Sequence, residues 1–251
     1  MPADLQTLCF AIAAIVLVGL SKGGFAGLGA LGTPLLAIGI GDPVRAAAIL
    51  LPILIAQDAV GITAFRRHWD RHVLIVMLPG AMLGILLGYL LAARISGAAV
   101  MAALGLISIL FGAWRLLLER RGTIGSANAP DWVGRLLGVA AGFTSQIAHA
   151  GGPPFQMWVM PRRLPHTVFA GTTAFFFAAV NLIKLPAYFS LGQFTSANLL
   201  ASLLLLPFAI AGSLAGVWLV KRISGERFYP FVYALMIVAG AKLLWDGLAG
   251  F

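Results

Sequence analysis

The chain has 251 residues, 61% of them hydrophobic and only 10% charged, with a mean hydropathy of +0.98. So few charges cannot cover the surface of a water-soluble domain of this length, which leaves an all-α polytopic membrane protein as the class. The net charge of +9 then belongs to loop arginines that hold topology, not to a nucleic-acid surface, and the one cysteine, Cys9, can form neither an internal disulfide nor a zinc site.

In chain order, apolar runs occupy residues 5–20, 27–41, 44–65, 73–92, 98–118, 132–148, 151–160, 166–190, 197–220 and 228–248. The first lacks a basic leader, so a cleaved signal peptide is not expected. Most runs are long enough to span, but those at 27–41 and 151–160 fall short of the roughly 17 to 25 residues an upright span needs. Each short run is rich in glycine and proline. The hydrophilic stretch ERRGTIGSANAPDW separates the two ends of the chain. It divides the sequence into a first transmembrane repeat (1–120), a cytoplasmic linker (121–131) and a second transmembrane repeat (132–251).

The repeat is written in the residues. PGAMLGILLGYLLAARISG begins at Pro79 and PFAIAGSLAGVWLVKRISG at Pro207, an offset of 128 that also relates Gly84 to Gly212, Gly88 to Gly216, Arg94 to Arg222 and Gly112 to Gly240. Small residues at four-residue spacing are common wherever helices pack closely, but that does not account for the proline or for RISG. Upstream, GALGTP (Gly29 to Pro34) aligns with HAGGPP (His149 to Pro154). With the 66–72 loop placed in the cytoplasm, twelve Arg and Lys residues collect on that side and only Arg45 and Arg94 on the other. Arg94 and its mate Arg222 then lie on opposite sides, so the repeats are expected to be inverted, with both termini outside the cytoplasm. Each repeat is expected to hold one broken or re-entrant helix pair and three spanning helices, eight to ten hydrophobic segments in total.

Between Ser21 and Gly32 five of twelve residues are glycine, preceded by Lys22. Paired helix breaks at corresponding positions of two halves mark transporter binding sites, because a half-helix N-terminus offers free N–H groups to an anion. The expected substrate site therefore draws on Lys22, Gly23, Gly24, Gly27, Gly29 and Gly32 from the first break. The second break supplies Ser145, Gln146, His149, Gly151 and Gly152, and the following helix Thr172 and Asn181. Asp58 is the one acidic residue deep in a span, with Asn181 as its counterpart and Lys184 one turn on. A buried carboxylate is costly unless it is paired or protonated, so Asp58 and the titratable His149 are the candidates for coupling. The plainer alternatives are that Lys22 snorkels to the surface, that the glycines serve packing alone, and that Asp58 belongs to a structural pair. Motifs for metal, nucleotide or covalent catalysis are missing, so no cofactor, no metal and no enzymatic activity are expected.

Two halves with early glycine-rich motifs (GFAGLGALGTP and GFTSQIAHAGGPP), a polar linker and the repeated proline–glycine–RISG pattern resemble the TauE/SafE family. That resemblance implies a carrier of sulfite, sulfonates or related organosulfur anions in the cell membrane. Its partners would be that anion and the lipid bilayer, without nucleic acid, and a homodimer stays open. Two other classes use the same features: a passive anion channel needs the donors but no titratable group, and a membrane scaffold needs only the small-residue faces.

Overall fold

A computed structural model describes residues 5–22, 32, 36, 40, 43–91, 96–120, 129–223 and 225–250. Nine α-helices and one short 3₁₀ turn account for most of the described residues, and among these there is no strand. The helices are α1 (Leu5–Lys22), α2 (Pro43–Phe65), α3 (Arg71–Leu91), α4 (Gly97–Arg120), α5 (Asp131–Ala148), α6 (Gly152–Val159), α7 (His166–Ser190), α8 (Ser196–Arg222) and α9 (Gly225–Ala249). The 3₁₀ turn, Met160–Arg162, follows α6. Six of these helices contain stretches long and apolar enough to cross a membrane among the described residues, and the apolar part of α1, Ala11–Lys22, is shorter. The chain is an all-α polytopic membrane protein.

Local chemistry starts the helices where they start. Asp70 precedes α3 and its Oδ1 accepts from the Val73 N–H at 3.0 Å; the Thr195 hydroxyl caps α8 by accepting from the Asn198 N–H at 3.2 Å. Prolines at 130 and 165 stand at the N-caps of α5 and α7, in extended backbone that a helix does not continue backwards through.

Lipid tails are as apolar as leucine, so helix association inside a bilayer rests on close packing instead of water exclusion. Small residues provide it. On α3, Gly80 lies against the Arg135 carbonyl of α5, Gly84 against that of Val139, and Gly88 against Gln146. In return Gly138 of α5 lies against Met77 and Gly142 against Ala81. Residue numbers rise together, so α3 and α5 run parallel with their backbones interlocked. Gly19 and Gly212 make the corresponding contact between α1 and α8.

Two further pairs run the other way. Gly105 of α4 lies against Gly240 and Leu244 of α9, Gly112 against Tyr233 and Ile237, and Gly247 against Ala98 and Ala102. Between α2 and α7, Gly171 meets Phe65 and His68, Gly61 meets Ala174, and Tyr188 packs with Ala47 and Leu51. Both pairs are antiparallel. Exchanging α1 with α5, α2 with α7, α3 with α8 and α4 with α9 turns this set of main pairings into itself: α3·α5 becomes α8·α1, α2·α8 becomes α7·α3, and the two antiparallel pairs are unchanged.

Candidate functional site

The second short run is a helical hairpin that returns to its own start. α5 ends at Ala148, and His149 takes the left-handed conformation with φ 52° and ψ 26°. The Ala150 N–H reaches back to the Thr144 carbonyl at 3.2 Å and the His149 N–H to that of Ser145 at 3.1 Å. This is a helix-ending geometry that glycine usually occupies. α6 then runs back along α5: Trp158 lies against Gly134, and Arg162 reaches Asp131 at 3.7 Å and donates to the Ala129 carbonyl at 3.3 Å. The interruption expected at 143–155 is therefore a reversal. The first interruption, including Gly23, Gly24, Gly27 and Gly29, lies outside the described residues. Gly32 is described and buried, pressed against Val18 and Leu50, in a packing position.

Around the reversal the helices gather seven polar side chains. Lys22, the last residue of α1, donates to Asp58 Oδ1 at 2.6 Å, and Asn181 Nδ2 donates to Asp58 Oδ2 at 2.6 Å. Both carboxylate oxygens of Asp58 are thus engaged, one by a cation from the first half and one by an amide from the second. The Lys22 ammonium also sits 5.0 Å from the centre of the Phe177 ring. One turn along α7 from Asn181, Lys184 is fully buried. Its Nζ lies 3.2 Å from the Ser145 carbonyl oxygen, 3.1 Å from Ser145 Oγ and 2.9 Å from His149 Nδ1. Three acceptors suit the three N–H bonds of an ammonium. The opposite ring nitrogen, His149 Nε2, lies 3.2 Å from the Ala47 carbonyl and 3.2 Å from the Tyr188 hydroxyl. A carbonyl only accepts, so the ring proton is on Nε2 and Nδ1 accepts from Lys184.

Asn181, Lys184 and Tyr188 stand at i, i+3 and i+7, one stripe of α7 that faces α2 and the α5 reversal. Asp58 and Asn181 are each the sixteenth residue of their helices, so the carboxylate meets its own repeat counterpart. Lys184 has Gly61 as its counterpart at the same offset, and no carboxylate ion-pairs with it among the described residues.

Of the residues singled out in the sequence, the structure brings Lys22, Asp58, Ser145, His149 and Asn181 together. Thr172 lies elsewhere, accepting from the Asp70 N–H at the α2–α3 corner at 2.8 Å. Gln146 faces Gly88 on α3, and its Oε1 has no hydrogen-bond partner among the described residues. Gly151 is a packing residue against Ala141 and Ser145, and Gly152 opens α6. The next two residues of α6 are Pro153 and Pro154, which carry no N–H, so this half-helix start presents fewer backbone donors than a glycine break would. Lys184 and Tyr188 complete the cluster and were not in the expected set. Lys184 carried a signal nonetheless, as a lysine within an apolar run one turn from Asn181.

The family model described as "Sulfite exporter TauE/SafE" matches residues 11–243. Neither the curated proteins nor the solved structures yield a match.

Proposed function

Because this chain belongs to the sulfite exporter TauE/SafE family, whose members move sulfur anions across membranes, we propose that it is a secondary carrier of a small sulfur-containing anion such as sulfite or a sulfonate. In this reading the anion docks at the α5 reversal. The observation that carries it is Lys184: a fully buried lysine with no carboxylate ion-paired to it among the described residues, held by a serine and a histidine that belong to a helix break. A buried cation left without a counter-charge is expensive unless a ligand supplies one. An oxyanion does so by replacing one of the three acceptors now on Lys184 Nζ, with the Ser145 hydroxyl beside it.

The carrier mechanism we favour treats the two halves as inverted repeats. A two-fold axis perpendicular to the helices makes a helix antiparallel to its own repeat mate, and an axis along them would make it parallel. The antiparallel courses of α2 with α7 and of α4 with α9 support the first. Alternating access then amounts to one half rocking against the other around the Lys22–Asp58–Asn181 contact. That contact joins α1 and α2 of one half to α7 of the other. Asp58 or His149 would take up a proton where transport is coupled to protons.

The test is anion affinity. Purified protein in lipid nanodiscs should bind methanesulfonate or sulfite, and Lys184→Met should raise the Kd by about tenfold or more, the loss of one charge-assisted contact. Equal affinity in wild type and Lys184→Met would move the anion away from the reversal.

A further inference from the structure

The buried cluster has a countable charge. With Lys22 an ammonium donating to an ionised Asp58, and Lys184 an ammonium donating to its three acceptors, two positive charges and one negative leave one positive charge. The His149 ring is neutral in the geometry described, because one nitrogen accepts from Lys184 and the other donates to a carbonyl. Ser145, Asn181 and Tyr188, the remaining groups facing the cluster from α5 and α7, are uncharged. Between Lys22 and Pro43, where α2 begins, the sequence holds one charged side chain, Asp42.

A desolvated site favours the ligand that brings its total charge nearest to zero, because Coulomb energies in a low-dielectric interior are large and unscreened. With one excess positive charge that ligand is a monoanion. We infer that this cluster selects singly charged oxyanions, R–SO₃⁻ or hydrogen sulfite, over doubly charged ones such as sulfate, and that the Asp58 carboxylate sets the limit. It does so by cancelling Lys22, which would otherwise give the site a second positive charge. The ion pair thereby acts as a valence filter. This inference rests on the carrier reading above, since it takes Lys184 as the docking cation.

The charge count can be changed without changing the size of any side chain greatly. Asp58→Asn raises the cluster to two positive charges. The double variant Lys22→Gln with Asp58→Asn returns it to one while removing the ion pair altogether. Lys22→Gln alone leaves it at zero.

Affinities of methanesulfonate and sulfate, tetrahedral anions of similar size and different charge, would be measured for the full chain in nanodiscs at constant ionic strength. Wild type should prefer methanesulfonate. Asp58→Asn should shift the ratio toward sulfate by an order of magnitude, and the double variant should return it to the wild-type order. Should Asp58→Asn fail to fold, the other two decide: Lys22→Gln should lose affinity for both anions while the double variant keeps methanesulfonate. Lys184-dependent binding with the same ratio in every folded variant overturns the filter and leaves the carrier standing. Wild type that binds neither anion overturns both.

Discussion

His149 shows how much of this site rests on one residue in an unfavourable backbone conformation. A non-glycine residue in the left-handed region costs about 1–2 kcal/mol, and the chain accepts that cost where the ring reaches Lys184, Tyr188 and the Ala47 carbonyl. His149→Gly relieves the strain but removes the contacts to Lys184 and to the Ala47 carbonyl, each worth about 0.5–1.5 kcal/mol. The two effects nearly offset, so thermal unfolding should move little, while affinity for a sulfonate should fall severalfold. A large loss of stability together with unchanged affinity would give the imidazole a purely structural part. The sequence makes His149 visible, because a histidine where its repeat partner has glycine is anomalous. It does not make visible that Lys184 turns toward Ser145 and His149 instead of Asp58. Residues 58 and 184 lie on two helices and Ser145 and His149 on a third, and only the packing of all three decides the pairing.

At the scale of elements, the helices fall almost where apolar run length puts them, since a bilayer demands about 20 residues of apolar helix and leaves few alternatives. The run at 151–160 is the instructive case. Its length already excludes an upright span, but only the left-handed turn at His149 and the Arg162–Asp131 contact make it a hairpin. Which glycines touch what is similarly illegible. The spacing of Gly80, Gly84 and Gly88 marks a packing face, while its partner, the face of α5 carrying Gly138 and Gly142, lies across the linker. A Cβ on Gly84 would sit 2.0 Å from the Val139 carbonyl oxygen, whereas one on Gly192 meets nothing within 4 Å. Gly84→Ala should therefore force α3 and α5 apart at a cost of about 1–3 kcal/mol. Gly192→Ala, whose φ is +64°, should cost only about 1–2 kcal/mol of backbone strain. A melting temperature no lower for Gly84→Ala than for Gly192→Ala would mean that the interlocked backbones contribute little.

For the molecule as a whole, the question is whether the two halves face opposite ways across the bilayer. If the orientation expected from charge placement holds, the start of α9 lies in the cytoplasm and the start of α4 outside it. The antiparallel α4–α9 pair brings Gly250 beside Ala98, so the end of α9 shares a face with the start of α4. Inverted halves thus require Ser96 and Arg227, each exposed near the start of its helix, to lie on opposite membrane surfaces. In a Cys9→Ser background, Ser96→Cys and Gly250→Cys should react with a membrane-impermeant maleimide added outside intact cells. Arg227→Cys should react only in inside-out vesicles. The reverse pattern would keep the inversion and flip the orientation. Labelling of Ser96→Cys and Arg227→Cys from one side would sink the inverted arrangement, and with it the route in which the outward-open and inward-open forms arise by the two halves exchanging conformations.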